Sequence, residues 1–148
     1  AENMMSGRVV VSGNVSHYAG ASAHGGLLVV QGDSSSRCGI SLKGANIIVK
    51  GSVGHMSAFM AQSGTMVVCG DAGDALGDSL YEARLYVRGN VASLGTDCVE
   101  KALRDEHKRE IDGLLERSGV TGADASEFRR FGSARNLYNF DVDNADAY

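Results

Sequence analysis

The sequence predicts an all-β protein, a parallel β-helix of about five coils followed by a short α-helical extension. Three observations support this fold: a repeat of 19 residues, one apolar strand-like run in each repeat, and small residues at fixed positions between the runs. Glycine accounts for 20 of 148 residues and proline is absent, which favours tight turns over disorder. The predicted division is a β-helix over 1–98 and an extension with a tail over 99–148.

A glycine follows each apolar run at a constant interval. These repeat glycines are Gly13, Gly32, Gly51, Gly70 and Gly89. A valine stands two residues before each of them, and an apolar residue stands four before. A unit of 19 residues with one strand is too short for two packed helices and fits one coil of a β-helix, in which equivalent positions stack.

The positions between the runs predict corners and a stacked turn. Residues seven and thirteen after each repeat glycine are almost always small, as corners require. The residue directly after the glycine is Asn, Asp or Ser, which are turn formers. Its two carboxylates, Asp33 and Asp71, never fall on adjacent coils, and a calcium site needs denser carboxylates. The stacked turn is therefore preferred to a metal site.

The outward side of the strand is apolar in every coil. Residues four and two before the glycine are assigned to the interior, so the residue between them points outward. We call this set the outer column: Val10, Val29, Ile48, Val67 and Tyr86. Such a stripe does not remain in water in a soluble monomer. The outer column is predicted to be a partner interface. The alternative is that the C-terminal helix covers it. A third possibility is that the helix covers one part of the column and a partner covers another.

The sequence after Gly89 predicts two helices. Asp97 and Glu100 form a capping pattern for the first helix, and Gly119 is its stop signal. A second short helix is predicted over 124–132. Three residues of the tail are predicted to pack on the fold: Leu137, Tyr138 and Phe140.

No catalytic, cofactor-binding or metal-binding residue is predicted. His17 and His55 share a column, but two coils separate them by roughly 10 Å, too far for one zinc ion. The three cysteines fall in different columns, with Cys69 predicted to point outward and Cys38 and Cys98 to pack. The glycine-rich stretches lack the lysine and hydroxyl of a phosphate-binding loop. A left-handed hexapeptide β-helix is disfavoured, because no six-residue period is visible.

Charge and composition bear on partners and location. A formal net charge of −4 predicts neither nucleic acid nor an anionic membrane as partner. No apolar run reaches the roughly 20 residues of a membrane span, and no signal peptide is recognised. Three cysteines cannot all pair, which favours a reduced, cytoplasmic chain.

Runs of the type V-x-G-[ND]-x, over residues 7–98, resemble the GXGXG domain. That domain forms the C-terminal part of the large chain of glutamate synthase and also occurs in formylmethanofuran dehydrogenase. The resemblance implies that the β-helix is right-handed. The segment EFRRFGSARNLYNF, over 127–140, is similar to the ending of the free-standing GXGXG subunit of N-methylglutamate synthase.

The resemblance implies a non-catalytic scaffold. The expected complex is N-methylglutamate synthase, which converts methylamine and L-glutamate to N-methyl-L-glutamate and ammonia. The implied partners are a glutamine amidotransferase-like subunit and an FMN-binding glutamate synthase-like subunit. No cofactor is expected on this chain, and FMN, with or without an iron–sulfur cluster, is expected on the synthase-like partner. The alternatives are the equivalent subunit of glutamate synthase or formylmethanofuran dehydrogenase, and a stand-alone carbohydrate-binding or carbohydrate-active β-helix.

Overall fold

The computed structural model describes residues 1–134 and contains a stack of five parallel strands. Neighbouring strands pair in a register shifted by 19 residues, so that Val10 lies beside Val29 and Val29 beside Ile48. This arrangement confirms the parallel β-helix and the period read from the glycines. The strands are β1 (Arg8–Val11), β2 (Leu27–Val30), β3 (Lys43–Val49), β4 (Ser63–Val68) and β5 (Arg84–Val87).

The interior of the coils is a single apolar core. In β2 to β5, the residues two and four before the repeat glycine lie in this core, as predicted from their alternation. In β1, Val11 packs against it and Val9 is exposed. A second side of each coil is formed by single-residue bridges, such as those of Ala72 with Val53 and with Val91. Turns connect the strand to this second side, and they contain the repeat glycines.

The predicted corners seven residues after each repeat glycine adopt left-handed backbone in four coils. Gly20, Gly39 and Gly77 have φ values of 69°, 71° and 69°, and Ala58 has 61°. A Cβ on Gly20 would lie 2.6 Å from Cδ1 of Ile47 in the core. Small residues are therefore needed both for backbone conformation and for space.

Up to residue 134, the C-terminal part adds four elements: β6 (Cys98–Lys101), α1 (Asp105–Ser118), one 3₁₀ turn (Ala125–Glu127) and β7 (Arg129–Ser133). Strand β7 lies between β5 and β6 and is antiparallel to both. Within the described part of the chain, the resulting sheet has seven strands in the order β1-β2-β3-β4-β5-β7-β6. The predicted division between residues 98 and 99 falls within β6.

The predicted start of the first helix is wrong. Asp97 has a φ of 63° and Glu100 lies in β6, where pairing with β7 overrides the capping pattern. Helix α1 begins at Asp105, after an N-cap at Arg104 whose backbone N–H donates to Nδ1 of His107 at 3.0 Å. The predicted stop is correct, because Gly119 is the C-cap with a φ of 69°.

The second predicted helix is also largely wrong. The Asp124 and Glu127 capping box is present, but it begins a single 3₁₀ turn. The chain then extends as β7, because Phe131 enters the interior core beside Leu85. The packing prediction for Leu137, Tyr138 and Phe140 lies outside the described residues.

Candidate interaction surface

The outer column is covered by this chain over most of its length. Val29, Ile48, Val67 and Tyr86 are each 0% exposed, whereas Val10 is 46% exposed. The four buried members form a second apolar cluster with residues of α1 and of the segment after it: Ile111, Leu114, Leu115, Ala125 and Phe128.

This cover corrects the partner-interface assignment for four residues of the column. The apolar face of α1 removes Val29, Ile48, Val67 and Tyr86 from solvent, so no partner reaches them while α1 is docked. For these four residues, the alternative prediction, that the C-terminal helix covers the column, is confirmed. A partner contact at Val10 stays a prediction.

A partly buried polar cluster joins α1 to the sheet through Glu110. Its carboxylate accepts bonds from Arg84 Nη2 at 2.6 Å and Nε at 2.9 Å, and from the Tyr86 hydroxyl at 2.6 Å. Thr65 Oγ1 donates to the same carboxylate at 3.2 Å. The carboxylate therefore receives hydrogen bonds from both β4 and β5.

The electrostatics of this cluster favour an ionised Glu110. Burial by itself raises the pKa of Glu110, but hydrogen bonds from Arg84 and Tyr86 outweigh burial and leave the pKa below its ordinary value. Burial and the Glu110 carboxylate raise the pKa of Tyr86. The tyrosine therefore stays protonated as a donor, and the cluster acts as a structural joint.

His107 packs beside this joint at the start of α1. It is buried, and its ring lies 6.3 Å from that of Tyr86, measured between centroids. Burial, followed by the nearby Arg130 charge, lowers the pKa of His107. The ring is therefore neutral at pH 7, which suits the hydrogen bond its Nδ1 accepts from the Arg104 backbone N–H.

The residues after the repeat glycines form a hydrogen-bonded ladder along the stack. Backbone N–H groups of Asp33, Ser52, Asp71 and Asn90 each donate at 2.8 Å to the side chain one coil earlier. The acceptors are Oδ1 of Asn14, Oδ1 of Asp33, Oγ of Ser52 and Oδ1 of Asp71. The structure thus shows a stacked turn at this column, and its carboxylates are engaged with backbone N–H groups.

The ladder explains why the repeat positions are glycine. In Gly32, Gly51, Gly70 and Gly89, a Cβ would collide with the ladder side chain and the glycine carbonyl of the preceding coil. A Cβ on Gly13 would meet no described atom within 4 Å. Glycine is therefore required at these four positions by the close approach of the preceding coil, and not by a left-handed φ.

The histidines and cysteines do not converge on a site. His17 Nδ1 lies 2.6 Å from Ser36 Oγ on the next coil, at the surface. Over residues 1–134, no group of three or more His, Cys, Asp and Glu side chains could hold a metal ion. The described helices also include none long and apolar enough to cross a membrane.

All three cysteines are free and buried. Cys38 and Cys98 pack in the interior core, as expected. Cys69 points outward, as predicted, but the position is not polar: the thiol is buried in the second cluster with the outer column and residues of α1. Burial raises the pKa of Cys38 to about 11 and that of Cys98 to about 12, which keeps both as unreactive thiols.

Comparison with known proteins gives one partial relative. Protein GlxC of Rhizobium meliloti (strain 1021) is 64% identical over 56 residues, which is 38% of this chain. The chain spans about a quarter of that relative, since the matched region covers 25% of its length. No protein-family model and no solved structure matches the chain.

Proposed function

We propose that this chain is a scaffold subunit of a glutamate synthase-like complex, and that the complex is N-methylglutamate synthase. The observation that carries the proposal is the 19-residue coil with its ladder of Asn, Asp and Ser side chains, whose sequence pattern resembles the GXGXG domain. Protein GlxC, a bacterial protein, matches part of this chain at 64% identity, so the proposal does not rest on the repeat pattern alone.

The chemistry of the described residues supports a structural role. The polar cluster around Glu110 fastens α1 to the sheet, and the ladder fastens one coil to the next. The thiols of Cys38 and Cys98 are buried and protonated at neutral pH. In this proposal the amidotransferase-like and FMN-binding subunits carry out the chemistry, and the stack holds them at a fixed separation. Because each coil repeats at about 4.8 Å, five strands give a rigid spacer on the order of 20 Å.

The proposal includes a reduced, cytoplasmic location. The three cysteines support this location. Three cysteines are enough for one disulfide, yet all of them are free and buried, as is common in a reducing compartment.

The test is affinity purification of the natively expressed chain, followed by mass spectrometry and a visible absorption spectrum. We expect two partner chains and a flavin spectrum in the purified material. The complex should form N-methyl-L-glutamate from methylamine and L-glutamate, and the isolated chain should not. A colourless monomer from native cells would contradict the scaffold proposal.

The same purification separates the alternative complexes. A molybdenum- or tungsten-containing partner would identify the complex as formylmethanofuran dehydrogenase instead of N-methylglutamate synthase. Flavin-containing partners without activity on methylamine would favour glutamate synthase. Turnover of a carbohydrate by the purified chain alone would instead support the stand-alone β-helix.

A further inference from the structure

A buried histidine holds the first turn of α1. His107 is 5% exposed and is the third residue of the helix, where its Nδ1 accepts the backbone N–H of Arg104 at 3.0 Å. A capping box ordinarily has Glu or Gln at this position, because both side chains offer an oxygen acceptor. Histidine accepts the bond only while Nδ1 carries no proton. The start of α1 therefore depends on the protonation state of one imidazole.

Two cations border this imidazole from different elements. Arg130 on β7 is 1% exposed, and its Nε donates to the carbonyl of Ala102 at 2.8 Å, which holds the guanidinium in place. Arg104, the N-cap residue, is the second cation, and both disfavour a charge on His107. The positive end of the α1 dipole acts in the same direction, because His107 lies in the first turn.

Two carboxylates also face the ring, and both are weakened as partners. Nε2 of His107 lies 3.9 Å from Oε1 of Glu106, whose side chain is 61% exposed and screened by solvent. Glu110 lies three residues further along α1, but Arg84 and Tyr86 of β5 engage its carboxylate. Burial and then the Arg130 charge outweigh these carboxylates, so the pKa of His107 lies below its ordinary value of 6.5.

Protonation of His107 would disturb the docked helix in two ways. Nδ1 would become a donor, so the Arg104 N–H would lose its acceptor and face another N–H group. A second cation would also be buried beside Arg130, in contact with the ring of Tyr86 in the outer column. Both costs disappear when the start of α1 leaves the sheet and the imidazole is hydrated.

We infer that His107 makes the docking of α1 acid-sensitive: the neutral imidazole keeps the helix on the outer column, and the protonated imidazole loosens it. Because the docked state favours the neutral ring, this contribution to docking is complete above about pH 6.5 and is lost progressively as the pH falls below that value. The inference is independent of the proposed function, since it concerns only contacts within this chain.

The test uses two buried thiols of the full chain as reporters. Cys69 is 4% exposed and lies in the second cluster with residues of α1, whereas Cys38 is 0% exposed in the interior core. Dithiodipyridine should label Cys69 about three- to tenfold faster at about pH 5.5 than at about pH 7.5, once each rate is divided by that of an unfolded cysteine peptide. One proton sets the tenfold limit. Cys38, followed by peptide mass spectrometry in the same samples, should show no such rise.

The matched variant is His107→Gln, because glutamine keeps an oxygen acceptor in the capping box and does not titrate. In this variant, Cys69 should be labelled at the same normalised rate at both pH values. His55→Gln changes an exposed histidine of the stack and should retain the wild-type rise. NMR titration of the wild-type His107 ring is a second measurement that needs no variant, and the ring should titrate below pH 6.5.

Three results would overturn the inference. The first is a wild-type Cys69 rate that does not change with pH, and the second is a rise that persists in His107→Gln. The third is equal acceleration of Cys38, because acid would then open the whole stack and not the contact of α1 with the sheet. A His107 ring that titrates at or above pH 6.5 would count against the inference even if His107→Gln fails to fold.

Discussion

At the C-terminal end of the stack, β7 pairs with β5 and α1 covers the outer column, whereas at the N-terminal end β1 has solvent on both faces. Val9 on its inner face is 38% exposed and Val10 on its outer face 46%, while Tyr86 and Phe131 at the other end are buried. The same column of the same repeat therefore lies in two environments. The position of a residue in the strand alternation sets which face its side chain lies on. The neighbouring elements decide whether that face is buried from solvent.

A charge introduced into the outer column should give the largest difference in unfolding free energy between the two ends of the stack. We expect Ile48→Asp to cost about 4 kcal/mol or more, because the carboxylate would lie under α1 without a partner. Val10→Asp, in the same column, should change the free energy of unfolding by less than about 0.5 kcal/mol. Chemical denaturation of both variants measures the two values. Equal effects would show that α1 does not protect the column in solution.

The second comparison uses the repeat glycines. We expect Gly51→Ala to cost about 1–3 kcal/mol, because its Cβ would collide with the Asp33 side chain and the Gly32 carbonyl. Gly13→Ala should be neutral or stabilising by up to about 1 kcal/mol, because a Cβ there meets no described atom. Thermal and urea unfolding give both numbers. A large cost at Gly13 would mean that the N-terminal coil is packed in solution.

The third prediction concerns pH and the attachment of α1. The pKa of Glu110 is lower in the folded chain than its ordinary value of 4.5, so ionisation favours the folded state. This contribution is complete above about pH 4.5 and is lost as the pH falls through the folded-state pKa. Glu110→Gln should therefore be less stable than the wild type at pH 7, with a difference that shrinks below about pH 4.5.

Helical circular dichroism during urea titrations at several pH values measures this dependence. Glu116→Gln is a matched control on an exposed face of α1. A Glu110→Gln difference that does not change with pH would contradict the ionised joint.

The smallest effect is expected in the turn ladder, which both ends share. Asp33→Ala should cost about 1 kcal/mol, because the Ser52 N–H loses its 2.8 Å acceptor. Asp33→Asn keeps an acceptor oxygen and should stay within about 0.5 kcal/mol of the wild type. Equal stability of both variants in urea would show that water replaces the ladder at no cost.

The sequence predicted the stack well because its repeat is a local property. The spacing of the glycines fixed the strand register, and the alternation around Val30 and Val49 fixed the interior face. The small residues at Gly20 and Gly39 correctly marked corners. The neighbouring left-handed positions, such as Tyr18 and Arg37, were missed because no glycine marks them.

The C-terminal part was predicted less well because its conformation depends on distant contacts. The capping pattern at Asp124 and Glu127 predicted a helix over 124–132, yet residues 129–133 form β7 and pair with β5 and β6. Glu110 gave no signal in the sequence, since its partners Arg84 and Tyr86 lie more than 20 residues away.

The sequence by itself determined the repeating coil, its register and its two apolar faces, because stacked equivalent residues must satisfy the same local rules in every coil. The tertiary structure alone decided which of those faces stay exposed. Docking of α1 through Ile111 and Glu110 buries one stretch of the outer column, and insertion of β7 closes one end. Both depend on packing between segments far apart in the chain, which no periodicity encodes.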